Sequence, residues 1–250
     1  MIINGKELIE HEQVYRVKVE VNHLNENRIL MPQSYQLLFA QMVEQDLDRF
    51  QANLPDTRKY GLAWALISIG IEVVRPINDC IWLNASTWYS QKRGPYFRRE
   101  LQFRDEAGDV MFQGTTYSIL LDLEKRSVFR KKEAPFHMDP PHMVFCAGGD
   151  PHFKEELPFE TVEERTARSS DIDALGHVNN CRYGAFAYDV LTEEEKDRLA
   201  RLKRIDYYFV SELTRGSVFP VQKAATPERI AVRGLTGQEG AVAFDVVMSF

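Results

Sequence analysis

Cysteine is scarce. The 250-residue chain holds three, Cys80, Cys146 and Cys181, far apart and with no CxxC pair. That argues against a disulfide framework or a zinc site and fits a reducing compartment. Long apolar runs are missing as well. Mean hydropathy is -0.36, and no stretch approaches the ~20 apolar residues of a membrane-spanning helix. The opening MIINGKELIEHEQ lacks a basic segment followed by an apolar one, so no secretory signal is expected and the cytoplasm is the expected location. There is no excess of basic charge: formal net charge is -6 and the pI about 5.6. Broad nucleic-acid binding is therefore disfavoured, and an acidic partner needs a local basic patch. The strings GxGxxG, GxxxxGK and GxSxG do not occur, which leaves nucleotide binding and a serine-hydrolase elbow without support. No metal and no cofactor are expected.

What is present is an ordinary globular balance, 44% hydrophobic and 27% charged residues. Val17, Val19 and Val21 recur at period two and predict a strand over 13–21. From Pro32 the period changes. Tyr35, Leu38, Phe39, Met42, Val43, Leu47 and Phe50 recur at spacings of three and four, and Leu37 and Ala40 widen the stripe. The helix over 32–50 is thus apolar around most of its girth in its first turns and is expected to be enwrapped. Strands are expected near 62–75, 80–91, 96–104 and 110–122, punctuated by Gly61, Asn78-Asp79, Gly94-Pro95 and Gly108. Residues 123–160, with KRSVFRKKE, DPPHM and AGGDPH, read as a surface connector. The pattern then restarts with a strand entry at 161–170, the polar loop DIDALGHVNN and an apolar helix over 181–191. A second helix, opened by a Thr192/Glu195 capping box, runs to about 202, followed by strands near 205–213, 217–225, 229–235 and 241–249.

One unit thus occurs twice, with 71–79 corresponding to 208–216 and Tyr35 to Tyr183. Strand, loop, buried helix and an antiparallel sheet around it is the hotdog arrangement. The expected fold class is α+β, a double hotdog: two antiparallel sheets, each wrapped around a long central helix and packed as a pseudo-dimer. Residues 1–135 form the first hotdog, 136–160 the linker and 161–250 the second. A generic two-domain α+β protein is the alternative.

The stretch from Asp171 to Tyr183 holds two carboxylates, an imidazole and two amides just before an apolar helix. Helix capping accounts for one such residue, not five. Aligned on the two tyrosines, the first-half loop has Asn25 where Asp173 stands and Ile29 where His177 stands. The same fold position is built there without acid or imidazole.

DIDALGHVNNCRY resembles the signature loop of hotdog thioesterases, and of the acyl-acyl carrier protein thioesterases in particular. GLAWALISIGIEVVRPI, STWYSQKRGPYFRRELQFRD and YSILLDLEKR follow the first-half pattern of that family in the same order, and IDYYFVSELTRGSV follows a second-half segment. The resemblance implies hydrolysis of fatty acyl thioesters, with release of free acid at the end of fatty acid synthesis. It implies catalytic roles for Asp173, His177 and Glu212. Two positions depart from the pattern. Leu175 stands where members often have Asn, and Leu213 stands where plant-type members have Cys, which removes that thiol.

The chemistry can be argued from the residues as well. Thioester hydrolysis needs an activated water or nucleophile and a means of steadying the oxyanion. Asp173 and His177 can supply the first. Backbone N–H groups near Val178–Asn180, with Asn179 and Asn180 touching substrate, can supply the second. Glu212 can hold His177 in one tautomer. Direct attack by Asp173 and activation of water both stay open. Cys181 reads as small core filler. Trp64, Trp82 and Trp88 read as core packing, with Trp64 also a candidate wall of an acyl tunnel.

The implied partner, acyl carrier protein, is acidic. Three basic clusters could receive it: Lys92-Arg93 with Arg98-Arg99; Arg126 with Arg130-Lys131-Lys132; and Arg198, Arg201, Lys203 and Arg204. The third follows the catalytic helix in sequence and is favoured. Rival readings are an acyl-CoA thioesterase and a non-catalytic acyl-binding module, and a homodimer remains open.

Overall fold

The computed structural model describes residues 2–3, 6–7, 14–131, 133–236 and 240–250, so Gln13 and Lys132 lie outside the described residues. The first half contains β1 (Ile2–Ile3), β2 (Lys6–Glu7), β3 (Tyr15–Lys18), α1 (Pro32–Arg49), α2 (Leu54–Arg58), β4 (Leu62–Val73), β5 (Trp82–Arg93), β6 (Tyr96–Arg104), β7 (Val110–Asp122) and β8 (Ser127–Val128). The second contains β9 (Glu160–Thr166), α3 (Asn180–Asp189), α4 (Glu193–Arg198), β10 (Arg204–Phe209), β11 (Val218–Ala225), β12 (Arg229–Leu235) and β13 (Val242–Ser249).

Where two half-sheets are expected, the described residues form one antiparallel sheet of eleven strands, with β1 and β2 paired apart from it. Its order is β3-β5-β6-β7-β4-β10-β13-β12-β11-β9, with β8 on β7. The join is the β4–β10 ladder, which sets Arg204 opposite Glu72 and Tyr208 opposite Ser68. Left apart, β4 and β10 would each present a row of unpaired N–H and C=O groups; pairing removes both edges. Read inward from either outer edge, the order is the same: the strand before the helix, three meander strands, then the strand after the helix.

Backbone hydrogen bonds fix the correspondence between halves. Val19 N–H donates to Ile81 O as Ala167 N–H does to Ser217 O, and Leu30 N–H donates to Ile77 O as Val178 N–H does to Leu213 O. Residues 71–79 therefore match 207–215, one position from the expected register, while Tyr35 does match Tyr183.

Helix α1 begins with Pro32 at its first position, where a missing N–H is harmless. Tyr35, Leu38, Phe39 and Met42 are buried. Phe39 stacks on Phe103 at 6.2 Å and Phe103 on Phe112 at 4.2 Å, each ring contributing ~1.5–3 kcal/mol by burial. The apolar stripe is narrower than expected. Leu37 and Ala40 are exposed, and the polar Ser34, Gln36 and Asp46 are buried, because the sheet covers one side of the helix and a cavity flanks another. Helix α3 is shorter, at ten residues. The Thr192/Glu195 capping box forms, but α4 stops at Arg198 and a single tight turn, Leu199–Arg201, replaces its expected last turn.

The described residues of 129–159 have no regular structure, and the segment straps the sheet's outer face. Trp88 Nε1 donates to Val144 O at 2.8 Å, Arg98 to Ala147 O at 2.6 Å and Arg204 to Gly148 O at 2.8 Å, while Gly148 N–H donates to Glu72 at 3.0 Å. Gly149 lies so close to the sheet that a Cβ there would come within 2.4 Å of the Thr115 methyl.

Candidate active site

The loop before α3 is tied down by its first acid, not its second. Asp171 is buried, and its carboxylate accepts the Arg168 N–H at 2.8 Å and Arg182 Nε at 2.9 Å. In the first half His23 does the same job, accepting the Glu20 N–H at 3.1 Å. Asp173 is half-buried. Its Oδ1 accepts the Leu175 N–H at 2.8 Å, as Asn25 Oδ1 accepts the Asn27 N–H at 3.0 Å. The turn closes at Gly176, whose φ of +86° lies in the left-handed region; Arg28 takes the matching position at +60°. The two loops share one hydrogen-bond plan; the amide of Asn25 serves it as well as the carboxylate of Asp173, so the negative charge of Asp173 is surplus to it.

His177 Nε2 lies 3.2 Å from Glu212 Oε2, with 37% and 68% of the two side chains exposed, so solvent screens the pair. Leu213, in the position next to Glu212, is buried, and its carbonyl receives the Val178 N–H. Behind the loop, burial first, and then nearby Glu212 and Asp173, push the Tyr183 phenol up to about 12.

At the start of α3 the backbone donors can be accounted for one by one. Val178 N–H goes to Leu213 O, Asn179 N–H to Asp171 O and Cys181 N–H to the capping Asn179 Oδ1. Asn180 N–H, first in the helix, has no acceptor among the described residues. The expected trio of oxyanion donors near Val178–Asn180 thus narrows to Asn180. Cys181 is no thiolate, because burial pushes its thiol up to about 12.

Asp173, Leu175, Asn179, Asn180 and Cys181 line a cavity of about 700 Å³ whose other walls come from the first half and from residues 137–142 of the connector. Those walls include Gln36, Phe39, Val43 and Leu47 of α1 and Trp64, Leu66 and Ile69 of β4. Trp64 is held in place by its Nε1–H bond to Ala52 O at 3.0 Å. His177 and Glu212 pair with each other outside that lining. The structure therefore brings Asp173, Asn179, Asn180 and Trp64 to one cavity, while His177, on the same loop as Asp173, is paired with Glu212 outside the lining. Gln36 also reaches the cavity, and the sequence reading passed over it. The available signal was a glutamine on the apolar face of α1.

The basic clusters look different once folded. Arg98 is paired with Glu100 and Arg99 with Asp46, both carboxylates buried. Arg204 bonds Asp206 and Glu72, and Arg198 donates to Thr226 O and Pro227 O. Arg201 and Lys203 are exposed, but they precede β10, whose first residue pairs with Glu72. His177 bridges Thr214, past the other end of that strand. The strand alone separates them by roughly 17 Å. Arg126, Arg130 and Lys131 are exposed and flank β8, which pairs with β7 at Asp122, opposite Leu62. That is the end of β4 that carries Trp64.

Among the described residues no helix is long and apolar enough to cross a membrane, and no cluster of three or more His, Cys, Asp or Glu side chains is placed to hold a metal. A search of curated protein sequences returns no match. Residues 155–244 match the sequence profile of the acyl-ACP thioesterase C-terminal domain. Solved structures align over nearly the whole chain. An acyl-ACP thioesterase from Bacteroides thetaiotaomicron is 16% identical with a TM-score of 0.78, covering 95% of this chain and 97% of that one. The 12:0-ACP thioesterase from Umbellularia californica is 16% identical with a TM-score of 0.78, covering 96% and 98%. At such identities the structural likeness is one of fold. Residues 155–244 thus match an acyl-ACP thioesterase C-terminal domain, and the chain over nearly its whole length has the fold of solved acyl-ACP thioesterases.

Proposed function

We propose that the chain hydrolyses fatty acyl thioesters carried on acyl carrier protein, releasing free fatty acid and so ending fatty acid synthesis in the cytoplasm. One observation carries the reading. A loop from the second half, with a negative charge its own turn does not need, opens onto a cavity walled mainly by the first half. We read the fold as a double hotdog, with residues 1–135 holding the acyl chain, 136–160 as linker and 161–250 bearing the catalytic loop. The repeated strand order and the shared hydrogen-bond plan support that division. A single chain supplies both sides of the site, so the reading needs no homodimer.

In this mechanism Asp173 takes a proton from water as it attacks the thioester carbon. The Asn180 N–H, at the positive end of α3, steadies the oxyanion. His177, oriented by Glu212, supplies a proton to the departing thiolate. The acidic carrier docks at the Trp64 end of the sheet, on Arg126, Arg130 and Lys131, since the thioester must reach Asp173 from there. An acyl-CoA thioesterase is the nearest rival, and Leu175 in place of the family's Asn is the one observation favouring a non-catalytic acyl binder.

The test is hydrolysis of a chain-length series presented both on acyl carrier protein and on CoA. Turnover with higher kcat/KM on the carrier is expected. No turnover of any long-chain thioester would refute the enzymatic reading, and a preference for CoA would refute the carrier.

A further inference from the structure

Gln36 belongs to the half whose loop has Asn25 and Ile29 in place of Asp173 and His177, yet it reaches the catalytic loop of the other. It is 1% exposed, and its Nε2 donates to Asn180 O at 2.7 Å. A carbonyl oxygen only accepts, so this bond fixes the orientation of the amide. The Gln36 Oε1 is then left buried with no donor among the described residues. An unmet buried acceptor costs about 1–3 kcal/mol, and such groups in folded proteins call for a reason. Gln33 Oε1 and Ser34 Oγ nearby are also unmet, but of the three only Gln36 lines the cavity that holds Asp173.

The repeat supplies an independent observation. The position matching Gln36 in the second half is Gly184, which packs so tightly on Gln33 that a Cβ would lie 2.9 Å from the Gln33 Cα. The start of α1 therefore meets a glycine across the seam, and the start of α3 meets a buried amide. The asymmetry of the loops is matched across the seam.

We propose that Gln36 is a catalytic residue lent by the first half, its Oε1 accepting the second O–H of the attacking water. This rests on the thioesterase reading above. The thioester group has no hydrogen-bond donor of its own, so water is the donor that the reaction must bring in. With one O–H on the Asp173 carboxylate and the other on Gln36, the water oxygen is aimed at the thioester carbon. As the C–O bond forms, the first proton passes to Asp173. The C–S bond breaks with its electron pair on sulfur, and the thiolate takes a proton from His177, which Asp173 then restores. The second water proton stays on the new carboxyl group.

Methanol separates this role from a structural one, because it has a single O–H and that one goes to Asp173. Methanolysis, which yields the fatty acid methyl ester, does not use Gln36. Acyl-carrier turnover by the unsubstituted protein first establishes the enzymatic reading on its own. Gln36→Met, similar in size and without the amide, is then assayed in buffer containing methanol. The expected result is a roughly 10–100-fold lower kcat for hydrolysis, KM within about twofold, and a ratio of methyl ester to free acid raised by a similar factor. The ratio reads only active molecules, so partial misfolding does not affect it. An unchanged ratio would mean that Gln36 acts only by supporting α3. A higher KM at unchanged kcat would assign it to binding the carrier's arm, and hydrolysis within twofold of normal would leave it no role. Each of these overturns the proposal.

Discussion

Replacing Asp173 by Asn tests the proposed site with a control that the protein itself provides. In the first half Asn25 already occupies this position, and its Oδ1 holds the turn through the N–H groups of Asn27 at 3.0 Å and Ile29 at 2.8 Å. An amide at 173 should therefore keep the bond to Leu175 and leave the fold intact. Asp173→Ala loses that acceptor, worth about 0.5–1.5 kcal/mol, or roughly 1–6 °C in Tm for a chain of this size. The two variants share a catalytic defect and differ in stability. With the base gone, kcat should fall by roughly 10²–10⁴, about 3–5.5 kcal/mol in the barrier. Free acid released from acyl carrier protein should be measured by chromatography, since a thiol reagent would also react with the exposed Cys80. Near-normal turnover by folded Asp173→Asn would refute the assignment, and so would an activity loss tracking Tm equally in both variants.

Other outcomes follow from the same geometry. Cys181→Ala should keep most activity; with its thiol pushed up to about 12, Cys181 stays protonated at pH 7–9, and iodoacetamide at pH 8 should label Cys80 without inactivating the protein. Val43→Phe, which narrows the cavity, should shorten the preferred acyl chain more than it lowers the best rate, as read from a chain-length series. Reversing Arg130 and Lys131 to Glu should raise KM for carrier-bound substrate and leave acyl-CoA hydrolysis nearly unchanged; an equal effect from Arg201→Glu with Lys203→Glu would move the dock to the far end of β10. Gly184→Ala should destabilise by about 1–3 kcal/mol in a denaturant melt, because its Cβ meets backbone atoms of Gln33.

Periodicity exposed the strands and both central helices, since a half-buried strand and an enwrapped helix each impose a spacing on apolar residues. Composition alone could not reveal that the two half-sheets are one: β4 reads as an apolar strand whether its second edge is free or paired. The register slip of one residue between 71–79 and its partner has a similar cause, because the bonds through Ile77 and Leu213 leave no mark in the letters. In the site, Asp173 stood out because Asn25 fills its place in the repeat. Gln36 did not, because its importance arises from Asn180, which is distant in sequence and meets it only across the seam. Charge runs misled most. Arg98, Arg99 and Arg204 read as a solvent-facing surface, yet each is held by a carboxylate whose position only the tertiary structure fixes.

The join between β4 and β10 also carries a hazard for the nascent chain. β4 is twelve residues long, LAWALISIGIEV, with one acidic side chain and no proline. It leaves the ribosome well before β10, which follows about 130 residues later. At roughly 5–20 residues per second, the strand waits on the order of ten seconds with one side uncovered. Over that interval it has the composition of an aggregation template. Translational pausing between residues 73 and 204 should lower the soluble yield, and a chaperone that masks exposed strands should restore it, with no change in the stability of the finished protein.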